Sequence, residues 1–91
     1  MKNMELKTKK QKLPKWFDGD VYEEGGVVKN PFSGEEYELT AIELSLYDFI
    51  IGAQIVFDTF NEPTDKQIKN FEDALYWFRV NNPEAYYVLL D

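Results

Sequence analysis

From Thr40 to Phe60 the chain reads TAIELSLYDFIIGAQIVFDTF, its longest apolar and periodic run. At about 100° per residue, Ile42, Leu46, Phe49, Ile50, Ala53, Val56, Phe57 and Phe60 share one broad face of a helix. Ser45, Asp48, Gly52 and Thr59 form a polar and small strip opposite that face. Leu44, Ile51 and Ile55 add a second, narrower apolar stripe. A helix that is apolar on two sides is buried on two sides. The stripe therefore calls either for a hairpin of the same chain or for a second subunit. The start of the helix is marked as well. Thr40 and Glu43 have capping-box spacing, and Leu39 and Leu44 are placed to form the hydrophobic staple around it. The run is long enough to raise the question of a membrane span, but it carries Glu43, Asp48 and Asp58, which a bilayer would penalise.

Before this helix, short extended pieces alternate with turns. The cluster Asn30-Pro31-Phe32-Ser33-Gly34 separates Val27–Asn30 from Glu35–Leu39, and the spacing predicts a β-hairpin. After it, Asn61-Glu62-Pro63 breaks the chain, and Thr64 with Gln67 repeats the capping-box spacing. A second helix follows to about Val80, with Ile68, Phe71, Ala74, Leu75 and Phe78 on its core face. Trp77 falls almost opposite that face, beside Asn70 and Asp73. Either a neighbouring segment covers it, or it belongs to a contact surface. Asn82-Pro83-Glu84 has N-cap, N1 and first-turn chemistry, so Ala85 to Leu90 reads as a short helix, with a strand as the alternative. The expected fold is α+β: an N-terminal β-hairpin packed on two antiparallel helices, with a short C-terminal helix.

Charge divides the chain. Residues 1–15 hold six lysines against Glu5, a net of +5, and the remainder holds four basic residues against sixteen acids, a net of −12; together they make the overall −7. Residues 1–13, with few apolar positions, read as a mobile basic arm, and residues 14–91 as one acidic domain. Leu13-Pro14-Lys15-Trp16-Phe17 is placed to anchor the arm to the body. An acidic body repels phosphate, and a short lysine arm releases few counterions, so duplex nucleic acid is not an expected partner.

The chemistry on offer is narrow. The chain has no cysteine and no histidine, which removes disulfides, thiol nucleophiles and the commonest general base. Asp18, Asp20, Glu23 and Glu24 suggest calcium, but Tyr22, Glu23 and Lys29 stand at positions 5, 6 and 12 of the loop such a site requires. The glycine pair Gly25-Gly26 lacks the rest of a phosphate loop. Ser33, Ser45, Thr40, Thr59 and Thr64 have no base to activate them, and no carboxylate pair sits in a recognisable motif. The expectation is a binding protein, not an enzyme, with no catalytic residue, metal or cofactor.

Two stretches, LPKWFDGDVYEEGGVVKNPFSGEEYELTAIELSLYDFIIGAQ and TDKQIKNFEDALYWFRVNNPEAYYVLLD, resemble small uncharacterised proteins of marine T4-like tailed phages, those of cyanobacteria in particular. The resemblance spans roughly residues 13–91 and carries no assigned activity or site residues. It implies an accessory protein in the cytoplasm of a bacterial host, or a minor virion component. The function expected is that of a small acidic protein–protein interaction module. Its expected partners are a second copy of itself, as a homodimer, and an unidentified host or phage protein. Trp77, Leu44, Ile51 and Ile55 are its candidate contact residues. The alternative is an acidic mimic of nucleic acid, which would gather Glu35, Glu36, Glu38 and Glu43 on one surface.

Overall fold

The computed structural model describes residues 11–60 and 62–90. Strands β1 (Gly26–Lys29) and β2 (Glu36–Leu39) form an antiparallel hairpin. Helices α1 (Ala41–Phe60) and α2 (Asp65–Asn81) follow, and α3 (Pro83–Ala85) runs on into a π-helical turn, Tyr86–Leu90. The architecture is the α+β one that periodicity predicts, and the C-terminal element is helical.

The hairpin register pairs Val28 with Tyr37 and Gly26 with Leu39 on its inner face. Lys29 stands opposite Glu36 on the outer face, where opposite charges favour the pairing. The turn is built by Asn30. Its Oδ1 accepts from the amides of Phe32 and Ser33 at 2.8 and 3.2 Å, and its main-chain oxygen accepts from Gly34 at 2.9 Å. Gly34 has φ of 80°, a conformation that suits glycine. The Asn30 amide group also donates to the Val88 carbonyl at 2.8 Å, tying the hairpin to the C-terminal turn.

Both capping boxes form. The Glu43 amide donates to Thr40 Oγ1 at 3.2 Å while Glu43 Oε1 accepts from the Thr40 amide at 2.9 Å. Thr64 and Gln67 do the same for α2, at 3.1 and 2.8 Å. Phe57 meets Phe71 edge-on with ring centroids 5.3 Å apart, and Glu43 near the start of α1 meets Asn82 just past the end of α2. The two long helices are therefore antiparallel. The core between them, the hairpin and the C-terminal turn consists of Leu39, Leu46, Ile50, Ala74, Phe78, Ala85 and Leu89. Among the described residues, no helix is long and apolar enough to cross a membrane.

One expectation needs correction. Residues 1–10 of the expected arm lie outside the described residues, but Gln11 and Leu13 pack against the body, and Lys12, exposed, accepts from Trp77 through its carbonyl. Gln11 is only 4% exposed, and Leu13 packs against the core. The reason is that Gln11 is uncharged and supplies the donor and acceptor that a buried polar centre needs. Ser45, on the polar and small strip opposite the broad face of α1, is 1% exposed. Its Oγ donates to the Ala41 carbonyl at 2.8 Å and accepts from the Tyr22 amide at 2.9 Å, because residues 14–22 cross α1 on that side.

Gly25 lets the strap that follows the crossing enter the hairpin. A Cβ built there would collide with the Leu39 carbonyl oxygen, which is backbone and has no rotamer to escape into. Gly25→Ala is expected to lower stability by about 2 kcal/mol or more, measured by urea unfolding. A change within about 0.5 kcal/mol would show that the two backbones separate without cost.

Candidate functional site

The polar groups of this chain gather in two places, one inside the molecule and one at its surface. The inner one is centred on Glu43, 1% exposed. Its Oε1 serves the helix cap, as described. Its Oε2 accepts from Gln11 Nε2 at 2.6 Å and from Asn82 Nδ2 at 2.8 Å. Thr40 Oγ1 donates to Gln11 Oε1 at 2.8 Å, so the Gln11 amide is used at both ends. Asn82 Oδ1 accepts from the Ala85 amide at 3.2 Å and caps α3. The Tyr37 hydroxyl lies 3.3 Å from Asn82 Oδ1 and donates to Glu84 Oε1 at 2.8 Å. One network thus joins the N-terminal segment, β2, α1, α2 and α3. Among the described residues no buried side-chain nitrogen or oxygen lacks a hydrogen-bond partner.

The outer site is a cleft of about 530 Å³. Its floor is the side of α1 that carries Phe49, Ala53, Val56 and Phe57. Trp16 and Phe17 pack on Phe49, with centroids 5.3 and 5.7 Å away. One rim holds Asp18, Asp20 and Asp48, and the other, at the start of α2, holds Lys66, Gln67 and Asn70. The field of the acidic rim shows in Tyr22. The charge of Asp48 first, then burial and the charge of Asp20, hold its hydroxyl above the usual pKa of 10.0. No group of three or more acidic residues among the described residues is arranged to hold a metal ion.

Gly52 sits in the wall of this cleft, in the interior of α1. A Cβ at Gly52 would meet nothing within 4 Å, and its φ is not in the left-handed region. Neither packing nor backbone geometry needs glycine here, yet glycine costs an internal helical position about 1 kcal/mol relative to alanine. A Cβ there would project into open space beside the cleft.

Of the four contact residues expected from sequence, Leu44, Ile51 and Ile55 lie along α1 and Trp77 lies on α2. Trp77 is half-buried, packs on the core, and donates from Nε1 to the Lys12 carbonyl at 3.0 Å. No side-chain pattern could have revealed that partner, since it is a backbone oxygen. Leu44 is half-buried beneath β1, where a Cβ on Gly26 would lie 3.8 Å from Leu44 Cδ2. Ile51 is half-buried, and Ile55 is 60% exposed. Of the four acids expected to cluster, Glu35, Glu36 and Glu38 are exposed, whereas Glu43 points inward. Sequence reasoning missed the cleft. Its one legible signal was the strip Ser45, Asp48 and Gly52, which is the track along which the crossing segment and then the cleft lie.

The chain matches no protein-family model, no curated protein and no solved structure.

Removing the Glu43 carboxylate leaves two side-chain donors and the Thr40 amide without their acceptor. Glu43→Ala is expected to cost about 3 kcal/mol in urea unfolding and to raise amide exchange at Thr40. A loss below about 1 kcal/mol would show that water replaces the carboxylate freely.

Burial first, then the hydrogen bond to Glu84, hold the Tyr37 pKa above 10.0. The folded chain keeps this proton more tightly than the unfolded chain. The stabilisation is therefore fully present below pH 10.0 and is lost as pH rises through the folded value. Stability measured from about pH 8 to about pH 11 is expected to fall less steeply for Tyr37→Phe than for the wild type. Identical slopes would rule out the role given to Tyr37.

Proposed function

We propose that this chain is a small acidic protein–protein interaction module that pairs with a second copy of itself through the distal half of the α1 stripe. The observation that carries the reading is the exposure of Ile55. It is 60% exposed, and neither it nor Ile51 packs against the core that covers Leu44. The hairpin shields the proximal end of the stripe and stops short of the rest. A symmetric pair can lay one such half-stripe on its copy, since a two-fold axis brings identical patches together. Burying an exposed isoleucine on each side contributes about 1.5–3 kcal/mol per side chain before the costs of association. The setting follows from the phage-like stretches: an accessory role in a bacterial host, or a minor place in the virion. Nucleic-acid mimicry is the weaker reading, because Glu43 serves the interior and leaves only three hairpin-region acids for an outward array.

Sedimentation tests the pairing. The wild type is expected to be dimeric at ~100 µM and to dissociate on dilution. Ile55→Asp is expected to be monomeric at the same concentration, with the melting temperature of the wild type diluted to monomer, since Ile55 is not part of the core. A wild type that stays monomeric would sink the proposal.

A further inference from the structure

We propose that the cleft beside Gly52 is a second binding site, on a different face of α1 from the pairing stripe. Its ligand is a partner peptide in which an apolar side chain stands next to a lysine or arginine.

Three observations converge on this. The first is shape. The floor from Phe49 to Phe57 spans about 12 Å of helix at 1.5 Å per residue. An extended peptide advances about 3.3 Å per residue, so three or four of its residues match the floor. That is longer than a single free amine would use. The apolar floor suits apolar side chains, and its open mouth leaves a backbone in water.

The second is charge. Asp18, Asp20 and Asp48 line the cleft against Lys66 alone. Among the described residues, none of the three acids is in an ion pair with a basic side chain. A phosphate or carboxylate ligand would meet three like charges at that rim, whereas an ammonium or guanidinium group meets an attractive field. Lys66, Gln67 and Asn70 on the far rim offer donors of the kind a peptide's carbonyls accept.

The third is Gly52. Helix α1 tolerates a side chain there, gains from one, and lacks it. The space that glycine leaves is open and adjoins the cleft whose wall Gly52 helps to form. A position where the fold loses stability and the cleft gains room is the pattern of a binding site.

Two acetylated and amidated hexapeptides serve as probes for the full chain, one alternating leucine with lysine and one alternating leucine with glutamate. Amide shifts of Gly19 and Gly52 report occupancy of the cleft. The lysine peptide is expected to bind at least about tenfold more tightly than the glutamate peptide, and to weaken several-fold between ~50 and ~500 mM salt. Gly52→Ala is expected to raise the melting temperature by about 4 °C, which confirms that the glycine is not structural. Gly52→Leu fills the cleft and is expected to weaken lysine-peptide binding about tenfold without lowering the melting temperature. Should Gly52→Leu fail to fold, the double variant Asp20→Asn with Asp48→Asn is expected to weaken the lysine peptide and flatten its salt dependence. Ile55→Asp is expected to bind the peptide as the wild type does, which separates this site from self-pairing. Equal affinity for the two peptides, unmoved Gly19 and Gly52 amides, or undiminished binding to a folded Gly52→Leu would each overturn the proposal.

Discussion

A buried carboxylate is costly unless donors surround it, and the Glu43 side chain accepts from three donors among the described residues. Each donor arrives from a different part of the chain: the segment before the hairpin, the cap of α1, and the junction between α2 and α3. The interaction is cooperative in a geometric sense. If any one element is displaced, the carboxylate keeps its desolvation penalty and loses part of its compensation. Seven buried core residues among those described make a small apolar interior. A shared polar centre gives such a chain a specific register that apolar contact alone leaves loose. Asn82 shows the same economy, since it ends α2, caps α3 and donates to Glu43.

The second organising feature is the path of residues 14–22. Pro14 accepts from the Phe17 amide in a turn, Trp16 and Phe17 pack on Phe49, and Tyr22 bonds Ser45. This segment covers the proximal half of one side of α1 and leaves the distal half open. The open part is the cleft, with the segment's own Asp18 and Asp20 forming the rim. The hairpin treats the other side of α1 in the same way, covering Leu44 and leaving Ile55 bare. Helix α1 is therefore buried at its capped end and presents two different surfaces at its far end, one apolar and one apolar with an acidic edge. The polar centre and these exposed surfaces lie at opposite ends of one helix, so the part that holds the fold together is distinct from the part left uncovered.

The local grammar of the chain was legible without a structure. Thr40 with Glu43, Thr64 with Gln67, and Asn82 with Pro83 each announced a helix start, because capping is a contact between residues three apart or fewer. The turn at Asn30 to Gly34 announced the hairpin for the same reason, and the apolar period of α1 and α2 identified Leu46, Ile50, Ala74 and Phe78 as core. These determined the α+β class. The tertiary structure alone decided where long-range polar partners lie. Glu43 had a complete local role as a cap, and nothing in its spacing indicated that its other oxygen would serve Gln11 and Asn82, 32 and 39 residues away. Gln11 looked like arm, Ser45 and Gly52 shared one polar and small strip, and Trp77 had two readings, covered by a neighbouring segment or part of a contact surface. Each was resolved by a segment that the pattern left unplaced. Periodicity measures how a helix divides its own faces. It carries no information about which irregular stretch of chain crosses a face, and here that crossing decides which residues are buried and which line a cleft.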